Sequence, residues 1–155
     1  MPKRPRRRLP EPEDTVAELN IVEKVIALEG VDLLKGLQPE QLARIASIAT
    51  EERYPPGKVV LDPSKPLDAL FVVLDGSVSL AKDGVEIHSA GQNDVLGAWA
   101  LFDSEPMPVT ATATEDVRLL RIGRDDFYEL LSDNVEITTA VFGTLVKRFR
   151  KLVGQ

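Results

Sequence analysis

Leu96-Gly97-Ala98-Trp99-Ala100-Leu101-Phe102-Asp103-Ser104-Glu105-Pro106-Met107-Pro108-Val109-Thr110-Ala111-Thr112-Ala113 is the stretch around which the rest of the chain is organised. It opens on Gly97, a residue that permits a tight turn or the close approach of a ligand. A short helix-compatible run follows to Leu101. Asp103 to Pro106 is a polar turn. Val109 to Ala113 alternates apolar residues with threonine, the period of a strand with one face turned inward.

Outward from this stretch the period of two continues. Val117 to Ile122 is a further strand, joined to the one before it at Glu115-Asp116. Upstream, Gly91 to Asp94 turns the chain into Val95-Leu96, and Val85 to His88 returns from Ser77 to Ala81 across Asp83-Gly84, a strong tight-hairpin signal. Ala69 to Leu74 is apolar on both faces, which predicts a central strand. Lys58 to Leu61 follows the turn Pro55-Pro56-Gly57. Short strands every 8–12 residues or about that, with turn signals between them, predict a sandwich or barrel. The roll is expected over residues 54–122.

Helical spacing brackets the strands. Thr15 and Glu18 read as a capping box opening a helix whose stripe is Val16, Leu19, Val22 (or Ile21), Val25, Ile26 and Leu28. A second helix starts at Gln38-Pro39-Glu40 and buries Leu42, Ile45, Ala46, Ile48 and Ala49. Helices are therefore expected within 15–50. After the strands they return over 124–153, where Ile137, Val141, Leu145, Phe149 and Leu152 form one apolar stripe.

The chain has 155 residues, 43% hydrophobic and 28% charged, enough for one domain with a real core. Residues 14–155 are expected to be that domain, after a Pro-rich, basic, extended tail over residues 1–13. The absence of cysteine excludes disulfides, thiolate metal sites and cysteine nucleophiles. No apolar run approaches the ~18 residues of a membrane span. The N-terminus lacks the apolar core of a secretory signal, and a cytoplasmic location is expected. The net charge of −6 is asymmetric: Lys3, Arg4, Arg6, Arg7 and Arg8 face an otherwise acidic body. Such a body disfavours nonspecific contact with nucleic acid. The single histidine, His88, reads as a surface or rim residue, and alone it cannot anchor the usual zinc sets. Carboxylates such as Glu51-Glu52 and Asp125-Asp126 read as solvated turns or helix ends. No phosphate loop and no nucleophile elbow is present, so an enzyme is not expected.

The landmarks Leu34-x-x-Leu37, Gly57, Asp68 to Val73, Gly76, Gly91, Gly97 and Leu119 to Phe127, in this order and spacing, resemble the cyclic nucleotide-binding domain family over about residues 31–150. The resemblance implies a mainly β fold with flanking α-helices: a double-stranded β-helix, or jelly-roll β-barrel, with N-terminal helices and C-terminal B/C-type helices. It also implies that Leu96, Gly97, Ala98, Trp99, Ala100, Leu101, Met107, Pro108, Val109 and Thr110 belong to a phosphate-binding cassette. In the family the cassette reads roughly Phe-Gly-Glu-x-Ala-Leu, a turn, then Pro-Arg-x-Ala-Thr. Gly97, Ala100-Leu101, Pro106 and Thr110 match it. Ala98 stands where the family's Glu accepts the ribose hydroxyl, and Met107 stands where its Arg pairs with the phosphate.

A buried phosphate needs a compensating charge, and methionine supplies neither charge nor donor. Pro108 also lacks an N–H. The expected function is a non-catalytic regulatory or sensor domain, with no cofactor and with cyclic AMP or GMP binding lost or weak. Two alternatives stay open: a genuine sensor with a rearranged site, using Arg118, Arg121 or Arg124, and an assembly module that uses the roll as scaffold. Trp99 either fills the pocket, lines an apolar one, or packs under the short helix. The expected partner is another protein or domain, with a homodimer through the C-terminal helix as one form. Direct DNA binding is not expected, because no helix-turn-helix follows the last helix in this sequence.

Overall fold

The computed structural model describes residues 19–98 and 108–154. Among them are eight strands: β1 Ala49–Tyr54, β2 Val59–Leu61, β3 Ala69–Asp75, β4 Val78–Lys82, β5 Val85–Ala90, β6 Val95–Leu96, β7 Thr110–Ala113 and β8 Val117–Gly123. They form two antiparallel four-stranded sheets, β1-β8-β3-β6 and β2-β7-β4-β5. Helices α1 (Ile21–Glu29) and α2 (Pro39–Ile48), with a 3-10 turn at Asp32–Leu34, precede the sheets, and α3 (Arg124–Asp133) and α4 (Val135–Leu152) follow them. The fold is mainly β with flanking helices, the jelly-roll arrangement expected from the strand spacing.

The inner strands of the first sheet, β3 and β8, contribute to a core on each face. Ala69, Phe71 and Val73 of β3, with Val117 and Leu119 of β8, enter the cluster between the sheets, where they meet Leu61, Val78, Ala90, Ala111 and Ala113. The alternate residues Leu70, Val72, Leu120 and Ile122 join the helical cluster of Leu28, Ile45, Phe127, Ile137 and Val141. This division explains why β3 reads as an unbroken apolar run and why it lies inside its sheet. The β4–β5 hairpin turns at Asp83 and Gly84, with φ of 53° and 82°, as the tight two-residue turn requires.

Three sequence expectations need correction. A strand precedes the roll's expected start, because β1 begins at Ala49 and pairs with β8 along its length. Its residues Thr50 to Arg53 are polar, so apolar alternation could not reveal it. Glu51 is accordingly on a strand and not at a solvated turn. Second, α1 begins at Ile21, capped by Asn20 in a reciprocal box with Glu23. Asn20 itself is extended, so one helix cannot run from Thr15 to Leu28. Thr15, Glu18 and the tail lie outside the described residues. Ile21, Val22 and Ile26 are exposed, while Leu28 carries the burial.

Third, the apolar stripe of α4 divides. Ile137 and Val141 are buried and Leu145 is half-buried, but Phe149 and Leu152 are 64% and 85% exposed. Steps of four residues drift about 40° around a helix each time, so Phe149 stands about 120° away from Ile137. Leu152 ends the helix beyond the packed body.

Gly76 has a φ of 97°, and an added Cβ would stand 2.4 Å from the Asp116 carbonyl oxygen. Left-handed backbone and a clash with main chain both oppose a side chain there. Gly76→Ala is expected to cost ~3 kcal/mol, read as a shift in the urea midpoint at constant slope. An unchanged midpoint would contradict this.

Candidate functional site

The described part of the expected cassette is its entry and its exit. β6 pairs with β3, Leu96 opposite Phe71, and places the Leu96 side chain in the roll interior. The chain then turns at Gly97, whose φ is 76°. A Cβ on Gly97 would stand 3.1 Å from the Ala69 carbonyl oxygen and 3.2 Å from Leu67 Cδ2. Glycine is therefore required by conformation and by space together. Ala98 is half-buried. At the exit Pro108 is exposed, Val109 is buried, and Thr110 is half-buried at the start of β7. Trp99, Ala100, Leu101 and Met107 lie outside the described residues.

β7 runs between β2 and β4, with Thr112 opposite both Val59 and Ser79. Ala111 and Ala113 point inward, and Thr110 and Thr112 are half-buried. Entry and exit thus meet the same interior from the two sheets. That interior is walled by Leu67, Ala69, Phe71, Leu96, Ala111 and Ala113, all apolar. These walls offer a phosphate no counter-charge.

The three downstream arginines each have a structural partner. Arg118 Nη2 lies 2.8 Å from Glu51 Oε2. Arg121 pairs at 3.5 Å with Asp68, a contact open to solvent and weak. Arg124 opens α3, and its Nη1 donates to the Leu67 carbonyl at 3.3 Å. Leu67 is also the residue whose side chain crowds Gly97. His88 is exposed on β5, as expected.

The Glu51–Arg118 pair joins β1 to β8, and sequence reading missed it. The Glu51 side chain is only 7% exposed, and its carboxylate accepts from the Leu19 N–H and from Arg118 Nε, each at 2.9 Å. Burial pushes its pKa up, but the Leu19 N–H, Arg118 and Arg53 together hold it below the ordinary value. The lowered native pKa means that the unfolded chain binds the proton more readily. The pair therefore stabilises the fold above the ordinary glutamate range, and that stability is lost as pH falls below about 4.5 through the native value. Glu51→Gln is expected to lower stability at pH 7 and flatten its loss in acid, checked by urea titrations from pH 7 to pH 3 or about that range. Parallel pH curves for the two proteins would contradict the assignment.

A neighbouring cluster joins Glu52 and Tyr54 of the same strand to Lys58, which precedes β2. Tyr54 donates its hydroxyl to Glu52 at 3.0 Å, and Lys58 Nζ lies 4.6 Å from its ring centroid. Burial and then the Glu52 carboxylate push the phenol up to about 12. No group of acids and histidine among the described residues could hold a metal ion.

Residues 51–134 match the family model for the cyclic nucleotide-binding domain, more than half of the chain. The chain belongs to the cyclic nucleotide-binding domain family. It is 35% identical over 106 residues to a cAMP-dependent protein kinase regulatory subunit of Aspergillus niger, covering 67% of this chain and 26% of that protein. It is 26% identical over 135 residues to a CRP-like cAMP-activated global transcriptional regulator of Mycobacterium tuberculosis, covering 84% of this chain and 59% of that one. Among solved structures, the N-terminal domain of a transcriptional regulator from Streptomyces coelicolor superposes with a TM-score of 0.77 at 28% identity, covering 83% of this chain and 93% of that domain. The chain thus spans about a quarter of the fungal relative's length. No described helix is long and apolar enough to cross a membrane.

Proposed function

We propose that this chain is a non-catalytic, cytoplasmic regulatory domain of the cyclic nucleotide-binding family in which ordinary cyclic AMP or GMP binding is lost or weak. One observation carries the reading: Ala98 and Met107 stand at the family's two polar anchor positions, and the described interior around the cassette is apolar throughout. The relatives whose names mention cyclic AMP act as regulators, and regulation through protein contact is the activity proposed for this chain. A bound ligand raises stability by mass action, by ~4 kcal/mol at a thousandfold excess over Kd. At millimolar cyclic AMP or GMP the melting temperature is expected to stay unchanged. An upward shift of several degrees would overturn the reading.

Arg124 favours a second reading, a sensor with a rearranged site, because it shares Leu67 with Gly97. If so, the ligand-induced melting shift exists and Arg124→Ala abolishes it.

The proposed partner is a protein, and α4 offers the contact. Val135, Phe142, Val146, Phe149 and Val153 are each at least half exposed. Their spacing, with Thr139 included, alternates four and three residues, the seam of a two-stranded coil. A second copy of the chain fits that seam. Sedimentation equilibrium is expected to give a dimer that Phe142→Glu with Phe149→Glu converts to monomer. A monomer at all concentrations would exclude the homodimer.

A further inference from the structure

The seam of α4 faces outward with Arg150 beside it, but three other cations of its last turns do not share that face. Lys147, Arg148 and Lys151 lie about 100–140° or more around the helix from Phe142 and Val153, on the side turned toward the body. With Thr144 they form one wall of a cleft of about 280 Å³. The other wall is the 3-10 turn, through Asp32, Lys35 and Gly36. The Arg148–Asp32 pair joins the two walls, and a Cβ added to Gly36 would stand 3.5 Å from both the Ala140 carbonyl oxygen and Thr144 Oγ1. Four cations from two elements therefore face one acid.

That acid, Asp32, is paired with Arg148, and both are open to solvent. Lys35, Lys147 and Lys151 form no salt bridge among the described residues. Like charges crowded across a concave surface repel, and a multiply charged anion between them removes the repulsion. The concentration is also out of keeping with a chain whose net charge is −6. A planar bilayer cannot enter a cleft between a helix and a turn, whereas a side-chain phosphate or carboxylate can. A long nucleic acid would also meet the acidic remainder of the surface, which a short segment avoids beyond the Debye length of about 8 Å.

We infer that the cleft between the 3-10 turn and α4 is a docking site for an acidic or phosphorylated segment of a partner protein. Lys35 holds it from one wall and Lys147 and Lys151 hold it from the other. Arg148 exchanges Asp32 for the incoming anion, so that the occupant bridges α4 to the turn. None of the described cassette residues lines the cleft.

The test is fluorescence anisotropy of a labelled peptide of alternating glutamate and phosphoserine, titrated with the full chain at low and physiological salt. Saturable binding is expected, weakened by added salt. Lys147→Glu with Lys151→Glu is expected to weaken it by about tenfold or more, and Lys35→Glu, on the other wall, by several-fold. Lys65→Glu with Lys82→Glu, exposed elsewhere on the roll, is the control for general charge and for the basic tail, and it should change affinity less than about twofold. Four results would overturn the site: no saturable binding, equal weakening by the control pair, no effect of Lys35→Glu, or capture by phosphatidylserine vesicles without peptide binding.

Discussion

Met107→Arg combined with Ala98→Glu is expected to raise affinity for cyclic AMP by about 30-fold to several-thousand-fold, equivalent to about 2–5 kcal/mol. The arginine would supply a charge and a planar fork of donors for the phosphate oxygens, and the glutamate an acceptor for the ribose hydroxyl. The described entry to the expected cassette keeps the glycine turn of the family pattern. Gly97 turns with a positive φ and packs on Ala69 and Leu67 with no room for a side chain. Thr110 follows at the head of β7. The gain is measured by calorimetry on the double variant beside the parent. No gain would mean that the absent polar groups at positions 98 and 107 are not what limits cyclic AMP binding.

Phe127→Ala is expected to destabilise the fold by ~3–5 kcal/mol and lower the melting temperature by about 6–20 °C. Phe127 lies on α3, is 1% exposed, and is the largest fully buried side chain among the described residues. It joins the cluster that ties Leu120 and Ile122 of β8 to Ile137 and Val141 of α4. Removing the ring leaves a cavity between sheet and helices that neither can close without moving the other. Thermal unfolding by circular dichroism measures the shift. A loss below about 1 kcal/mol would mean that the helices pack on the sheet only loosely.

The roll was legible because most of its strands obey simple rules. Alternation gives β4 and β7, and the Asp83-Gly84 pair gives the hairpin between β4 and β5. The doubly apolar run of β3 is a consequence of its lying between two cores. β1 was not legible, since Thr50 to Arg53 look like a solvated helix end until β8 is seen to pair with them. Glu51 was hidden for the same reason: its burial and its two partners come from Leu19 and Arg118, both remote in sequence. Two capping patterns compete before α1, and spacing alone does not choose Asn20 with Glu23 over Thr15 with Glu18. In α4 a row of four-residue steps looks continuous on paper but winds away from the body in three dimensions. In the cassette, Gly97 was legible from chain conformation, whereas the significance of Ala98 and Met107 came only from the family resemblance.

The most direct test of the account is isothermal calorimetry of the unmodified chain with cyclic AMP and cyclic GMP, with Trp99 fluorescence followed in parallel. The apolar interior and the residues at the two anchor positions predict no saturable heat up to ligand concentrations of about a millimolar. A saturating isotherm at low micromolar ligand would contradict the account, and it would require another cation to have taken the place of the missing arginine.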